Sequence, residues 1–144
     1  MNKVTKILRT KGSRVWKIPK DATVLEALQL MAEKQVGSVL IMDRNEVAGI
    51  FTERDFARKV GLVDIKPSTV KVGEVMTSKL ITINPNNTVN ECMELMTEKR
   101  IRHLPVLDKG HLVGMVSIGD IIKDMIEELQ FMVKQLENYI TGFR

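Results

Sequence analysis

The chain has 144 residues, room for one compact domain or two small halves. Its 44% apolar and 28% charged residues are those of an ordinary globular protein, and a net charge of +4, interleaved with acids, gives only weak support for nucleic-acid binding. A single cysteine, Cys92, excludes an internal disulfide and a cysteine-built zinc site, and no run has the length of a secretory signal or a bilayer span, so the expected setting is soluble and cytoplasmic.

In chain order, residues 1–12 make a basic, weakly amphipathic lead with Val4, Ile7 and Leu8 on one side, expected as a short helix or turn. Residues 15–18 alternate like a strand and stop at Pro19. Asp21 or Thr23 then caps a helix, Glu26 completing a capping box with Thr23, and Val24, Ala27, Leu28 and Met31 form its apolar stripe until Gly37. Strands are expected at 38–42 and 47–51, then a short helix from Glu53 to Gly61. Pro67 and Ser68 mark a linker. Residues 72–76 read as a brief turn or helix, 80–83 as a strand, and Thr88 with Glu91 opens another capped helix with Val89, Cys92, Met93 and Met96 inward. Two strands follow around a turn at Asp108, Lys109, Gly110 and His111, where His111 is expected to be exposed, and a helix begins at Ser117.

Shifted by 65 positions, the chain matches itself without a gap: Asp43 falls on Asp108, Gly49 on Gly114, Thr52 on Ser117 and Asp55 on Asp120. This is an internal β-α-β-β-α repeat, and the fold class is α/β. A helix start presents unpaired N–H groups that attract phosphate, and an ionised Asp accepts hydrogen bonds from vicinal ribose hydroxyls. Thr52 with Asp55, and Ser117 with Asp120, also have the spacing of a capping box that needs no ligand. On spacing alone the two accounts stand level; recurrence at the same place in both repeats, together with the family resemblance set out next, favours ligand contact.

The strings AGIFTERDFARKV, VGEVMTSKLITINPNNTV and RIRHLPVLDKGHLVGMVSIGDII resemble those of a tandem cystathionine-β-synthase (CBS) domain pair, or Bateman module. The closing LENYITGFR resembles the tail of stand-alone single-pair members. The resemblance implies a first CBS repeat at 1–62, a linker at 63–72, a second repeat at 73–126 and a helical extension at 127–144. It implies that the repeats pack about a pseudo-twofold axis, leaving two clefts for AMP, ADP, ATP, NAD(H) or S-adenosylmethionine. Asp55 and Asp120 would then hold ribose, Thr52 and Ser117 would touch phosphate, and Arg54, Arg102 and His103 would neutralise it. By the family's geometry the Asp55 cleft draws on Arg102 and the Asp120 cleft on Arg54. Gly37, Ser38 and Gly119 stand where second copies of these basic groups would be.

The implied function is regulatory, without catalysis, acting on an effector protein that the sequence does not name. No nucleophile–base set, metal cluster or P-loop competes with it. The rival readings are an interaction or structural pair without a nucleotide, and a nucleic-acid binder. In the last helix Ile118, Ile122, Met125, Leu129, Met132, Leu136, Tyr139 and Phe143 advance by alternating steps of four and three. Such a stripe suits a second helix, and a homodimer is expected; the competing reading folds the helix over its own N-terminal segment.

Overall fold

The computed structural model describes residues 2–142, so Phe143, the last position of the heptad stripe, lies outside the described residues. The elements are α1 (Val4–Lys11), β1 (Lys17–Pro19), α2 (Val24–Lys34), β2 (Ser38–Asp43), β3 (Glu46–Thr52) and α3 (Glu53–Phe56), which widens into a π-turn at Ala57–Gly61. A 3-10 turn at Pro67–Thr69, α4 (Val72–Val75), α5 (Val89–Lys99), β4 (His103–Asp108), β5 (His111–Ser117) and α6 (Ile118–Thr141) complete the chain.

They form two compact units. One runs Val15–Leu80, and the other joins the N-terminal segment through Arg14 to the chain from Ile81 onward. In the first unit β1 pairs parallel with β2, and β2 antiparallel with β3. Ile18, Ala27, Met31, Ile41 and Phe51 are buried between this sheet and α2. The second unit is built on the β4–β5 hairpin, with Cys92, Met96, Leu104, Val116 and Ile121 in its core. Its turn residues Lys109 and Gly110 have φ 52 and 81, the left-handed pair that a two-residue hairpin loop requires. Burial and the charge of Glu91 raise the Cys92 thiol to about 11, so it is a packed, protonated side chain at neutral pH.

The repeat extends to fine geometry. Thr23 and Thr88 both close capping boxes, with Glu26 and Glu91. Both hairpins carry a register shift at the same place, Ile41/Met42 and Val106/Leu107.

One expectation is corrected. Residues 80–83 are not a strand; Ile83 makes only an isolated parallel bridge to Val106. In the first unit the β1 ladder uses the N–H of Leu40, donated to Trp16, and that of Lys20, donated to Met42. The equivalent positions are Pro105 and Pro85, which have no N–H to donate, so the ladder shrinks to the bonds made by Ile83. The lead segment, grouped with the first repeat by sequence order, packs on the second: Val4 and Ile7 are buried in the core that holds Cys92 and Ile121. In return α4, which opens the second repeat, packs in the first unit, where Val72 and Val75 are buried beside Phe51 and Val60. The start of α6 meets the N-terminal segment, Asp124 accepting hydrogen bonds from Asn2 at 3.0 Å and Lys6 at 3.2 Å, whereas the extension that the competing reading folds over that segment leaves Leu129, Met132 and Leu136 exposed.

Candidate functional site

Each unit places its candidate aspartate at a helix start that follows a strand of its hairpin. In the first unit Thr52 caps α3. Its hydroxyl accepts the Asp55 N–H at 3.2 Å, while Asp55 Oδ2 accepts the Thr52 N–H at 3.0 Å. Asp55 Oδ1 accepts the Thr77 hydroxyl at 2.8 Å and faces Lys59 Nζ at 3.1 Å. Asp55 is 7% exposed, so both of its oxygens are engaged in a nearly closed setting.

In the second unit Ser117 caps α6 in the same way. Its hydroxyl accepts the Asp120 N–H at 3.2 Å, and Asp120 Oδ2 accepts the Ser117 N–H at 2.8 Å. Here the cation comes from α1: Lys11 Nζ lies 2.7 Å from Asp120 Oδ2 and donates to the Met115 carbonyl at 2.9 Å. The Asp120 side chain keeps 21% of its surface exposed. A small pocket of about 90 Å³ lies beside it, lined by Ile7, Lys11, Asp120, Lys123, Asp124 and Glu127.

The two sites differ in charge one turn further on. Lys59 follows Asp55 by four residues and neutralises it; the equivalent residue after Asp120 is Asp124, buried and held by Asn2 and Lys6. One site is therefore an aspartate closed by its own helix, and the other an acidic pair answered by two lysines of α1.

The remaining candidates fall into place within their own units. Arg54 is exposed on the first turn of α3. Arg102 is exposed just before β4, and its carbonyl accepts the Ile118 N–H at 2.8 Å. His103 is half-buried at the start of β4 and sits across the ladder from Ser117. Arg102, His103, Ser117 and Asp120 thus gather around the start of α6. At the matching place in the first unit, the Gly37 carbonyl accepts the Glu53 N–H at 3.2 Å. The missing side chain at Gly37 borders an open cleft of about 370 Å³, with Leu28, Met31, Val36 and Glu53 among its walls.

Lys11, Lys59 and Thr77 are partners of the aspartates that sequence reasoning missed. The spacing of Asp55 and Lys59 was a readable signal; Lys11 and Thr77 reach their partners from distant segments and left none. Among the described residues no group of His, Cys, Asp and Glu could hold a metal ion, and no helix is long and apolar enough to cross a membrane.

The sequence model of the CBS domain matches residues 7–62 and 72–127. The chain is 39% identical over 136 residues to the mitochondrial CBS domain-containing protein CBSX3 of Arabidopsis thaliana, covering 91% of this chain and 66% of the relative. It therefore spans just under two-thirds of that protein's length. A solved structure from Burkholderia ambifaria, described as a signal-transduction protein with CBS domains, is 45% identical with a TM-score of 0.86, covering 88% of this chain and 95% of its own. The hexameric CBS-CP12 protein of bloom-forming cyanobacteria is 31% identical with a TM-score of 0.75, covering 85% and 70%.

Proposed function

The chain belongs to the CBS-domain family as a tandem pair, and from that premise we propose that it is a regulatory module that binds an adenine nucleotide, self-associates and acts on a partner protein in the cytoplasm. The observation that carries this reading is the second capped helix start. Asp120 is ordered by Ser117, remains partly exposed and stands beside Lys11, with Arg102 and His103 in the same neighbourhood. A carboxylate there suits ribose hydroxyls, and the surrounding cations suit phosphate. AMP, ADP and ATP fit this chemistry first, with NAD(H) and S-adenosylmethionine sharing the adenosyl group.

The nucleic-acid reading is weakened by how the cations are spent: Lys6, Lys11, Lys20 and Lys59 each face a carboxylate. A purely structural pair is favoured at one place only, Asp55, where every contact described above is a helix cap or a closed polar cluster. Thermal melting with each nucleotide tests the proposal. A ligand at a hundredfold over its Kd stabilises the native state by about 2.7 kcal/mol, so a clear rise in Tm is expected for at least one adenosyl compound. No rise with any of them would leave the capping role as the whole account of both aspartates.

A further inference from the structure

Beyond Glu127 the helix α6 runs on with its apolar side chains uncovered. Leu129, Met132, Leu136 and Tyr139 are each more than half exposed. They occupy the two inward positions of a heptad. A second apolar row flanks them on one side only: Ile126, Val133 and Ile140, seven apart, between 49% and 65% exposed. The opposite flank, at Glu128, Gln135 and Gly142, is polar or bare. This one-sidedness bears on orientation. In a parallel helix pair each flank meets the opposite flank of its partner, which would set Val133 against Glu128 and Ile140 against Gln135. In an antiparallel pair each flank meets its own kind.

We propose that α6 pairs antiparallel with α6 of a second copy, about a twofold axis passing close to Val133 and Lys134. In that register Leu129 meets Tyr139, Met132 meets Leu136, Ile126 meets Ile140 and Val133 meets itself. On the polar flank Gln135 meets Gln135 and Glu128 meets Gly142. The surface is self-complementary: each apolar residue of the two rows between Ile126 and Ile140 finds an apolar one and no like charges are opposed, while Phe131, also exposed, lies outside the contact. A second copy is the occupant because the pattern is palindromic; a helix of unrelated sequence gives no reason for that symmetry.

The inference rests on the self-association proposed above, and single-cysteine cross-linking of the full chain separates the two. A disulfide needs Cβ atoms about 3.5–4.5 Å apart. Val133→Cys places its thiols face to face across the axis and is expected to cross-link readily under mild oxidation. Leu129→Cys places them about 15 Å apart along the axis, at 1.5 Å per residue, and is expected not to cross-link alone but to do so when mixed with Tyr139→Cys. All three sites are exposed, so folding is undisturbed, and Cys92 is buried and does not compete. Cross-linking of Leu129→Cys alone, with none at Val133→Cys, would mean a parallel pair, overturning the orientation and leaving self-association standing. A dimer in sedimentation that cross-links at none of these positions would place the contact elsewhere and overturn the inference. A monomer in sedimentation would overturn both.

Discussion

Gly49 and Gly114 hold equivalent places in the two hairpins, yet what lies over them differs. A Cβ on Gly49 would sit 2.6 Å from the backbone oxygen of Thr77 and 2.7 Å from Met76 Sδ. On Gly114 it would meet the end of the Leu8 side chain, also at 2.6 Å. A backbone oxygen cannot rotate away and a leucine methyl can. Gly49→Ala is therefore expected to cost about 1–3 kcal/mol, the range for forced overpacking, and Gly114→Ala distinctly less. Urea denaturation of the two variants measures the difference; equal losses would mean that Leu8 is as immovable as backbone. The same pair shows what a sequence can disclose at this scale. The match of Gly49 with Gly114 was visible at once, as were Asp55 and Asp120. The reason for the glycines was not, because Leu8 and Thr77 approach from segments that sequence order assigns to the other repeat.

At the scale of elements, both capping boxes of the long inner helices were legible, since Thr23 with Glu26 and Thr88 with Glu91 are local patterns. The lost strand at 80–83 was not. Its residues are apolar and extended enough, and only the register against β4 reveals that Pro105 and Pro85 fall where donors are needed. The length of α6 was legible from its heptads, and so was its excess over the counterpart that stops at Gly61. Ile121 and Asp124 are the last buried residues of α6, and Met125 is the last to pack against the core. Truncation after Met125 is accordingly expected to leave a folded pair, with native circular dichroism and a cooperative melt, while lowering the sedimentation coefficient to that of a monomer. An oligomer unchanged by truncation would locate the contact on the repeats themselves.

For the whole molecule, the family is carried by the repeat, while the contact units follow an exchange that the repeat conceals. Each repeat hands its leading segment to the other unit: α1 to the unit of β4 and β5, and α4 to that of β1, β2 and β3. That exchange makes Lys11 a partner of Asp120 and Thr77 a partner of Asp55, and so gives the two sites unequal chemistry. Asp55, closed by Lys59 and Thr77, is the more structural of the two; Asp120 is the more available. Isothermal titration of the full chain with AMP, ADP and ATP, repeated on Asp120→Asn, tests the central claim most directly. The asparagine keeps the shape of the cap and removes the charge. A hydrogen bond to a charged group contributes about 1.5–3 kcal/mol, so the wild-type chain is expected to bind a nucleotide and the variant, shown to be folded by a cooperative ligand-free melt, to lose about ten- to a hundredfold in affinity at one site. Absence of binding heat for all three nucleotides, or binding that Asp120→Asn leaves untouched, would contradict the account.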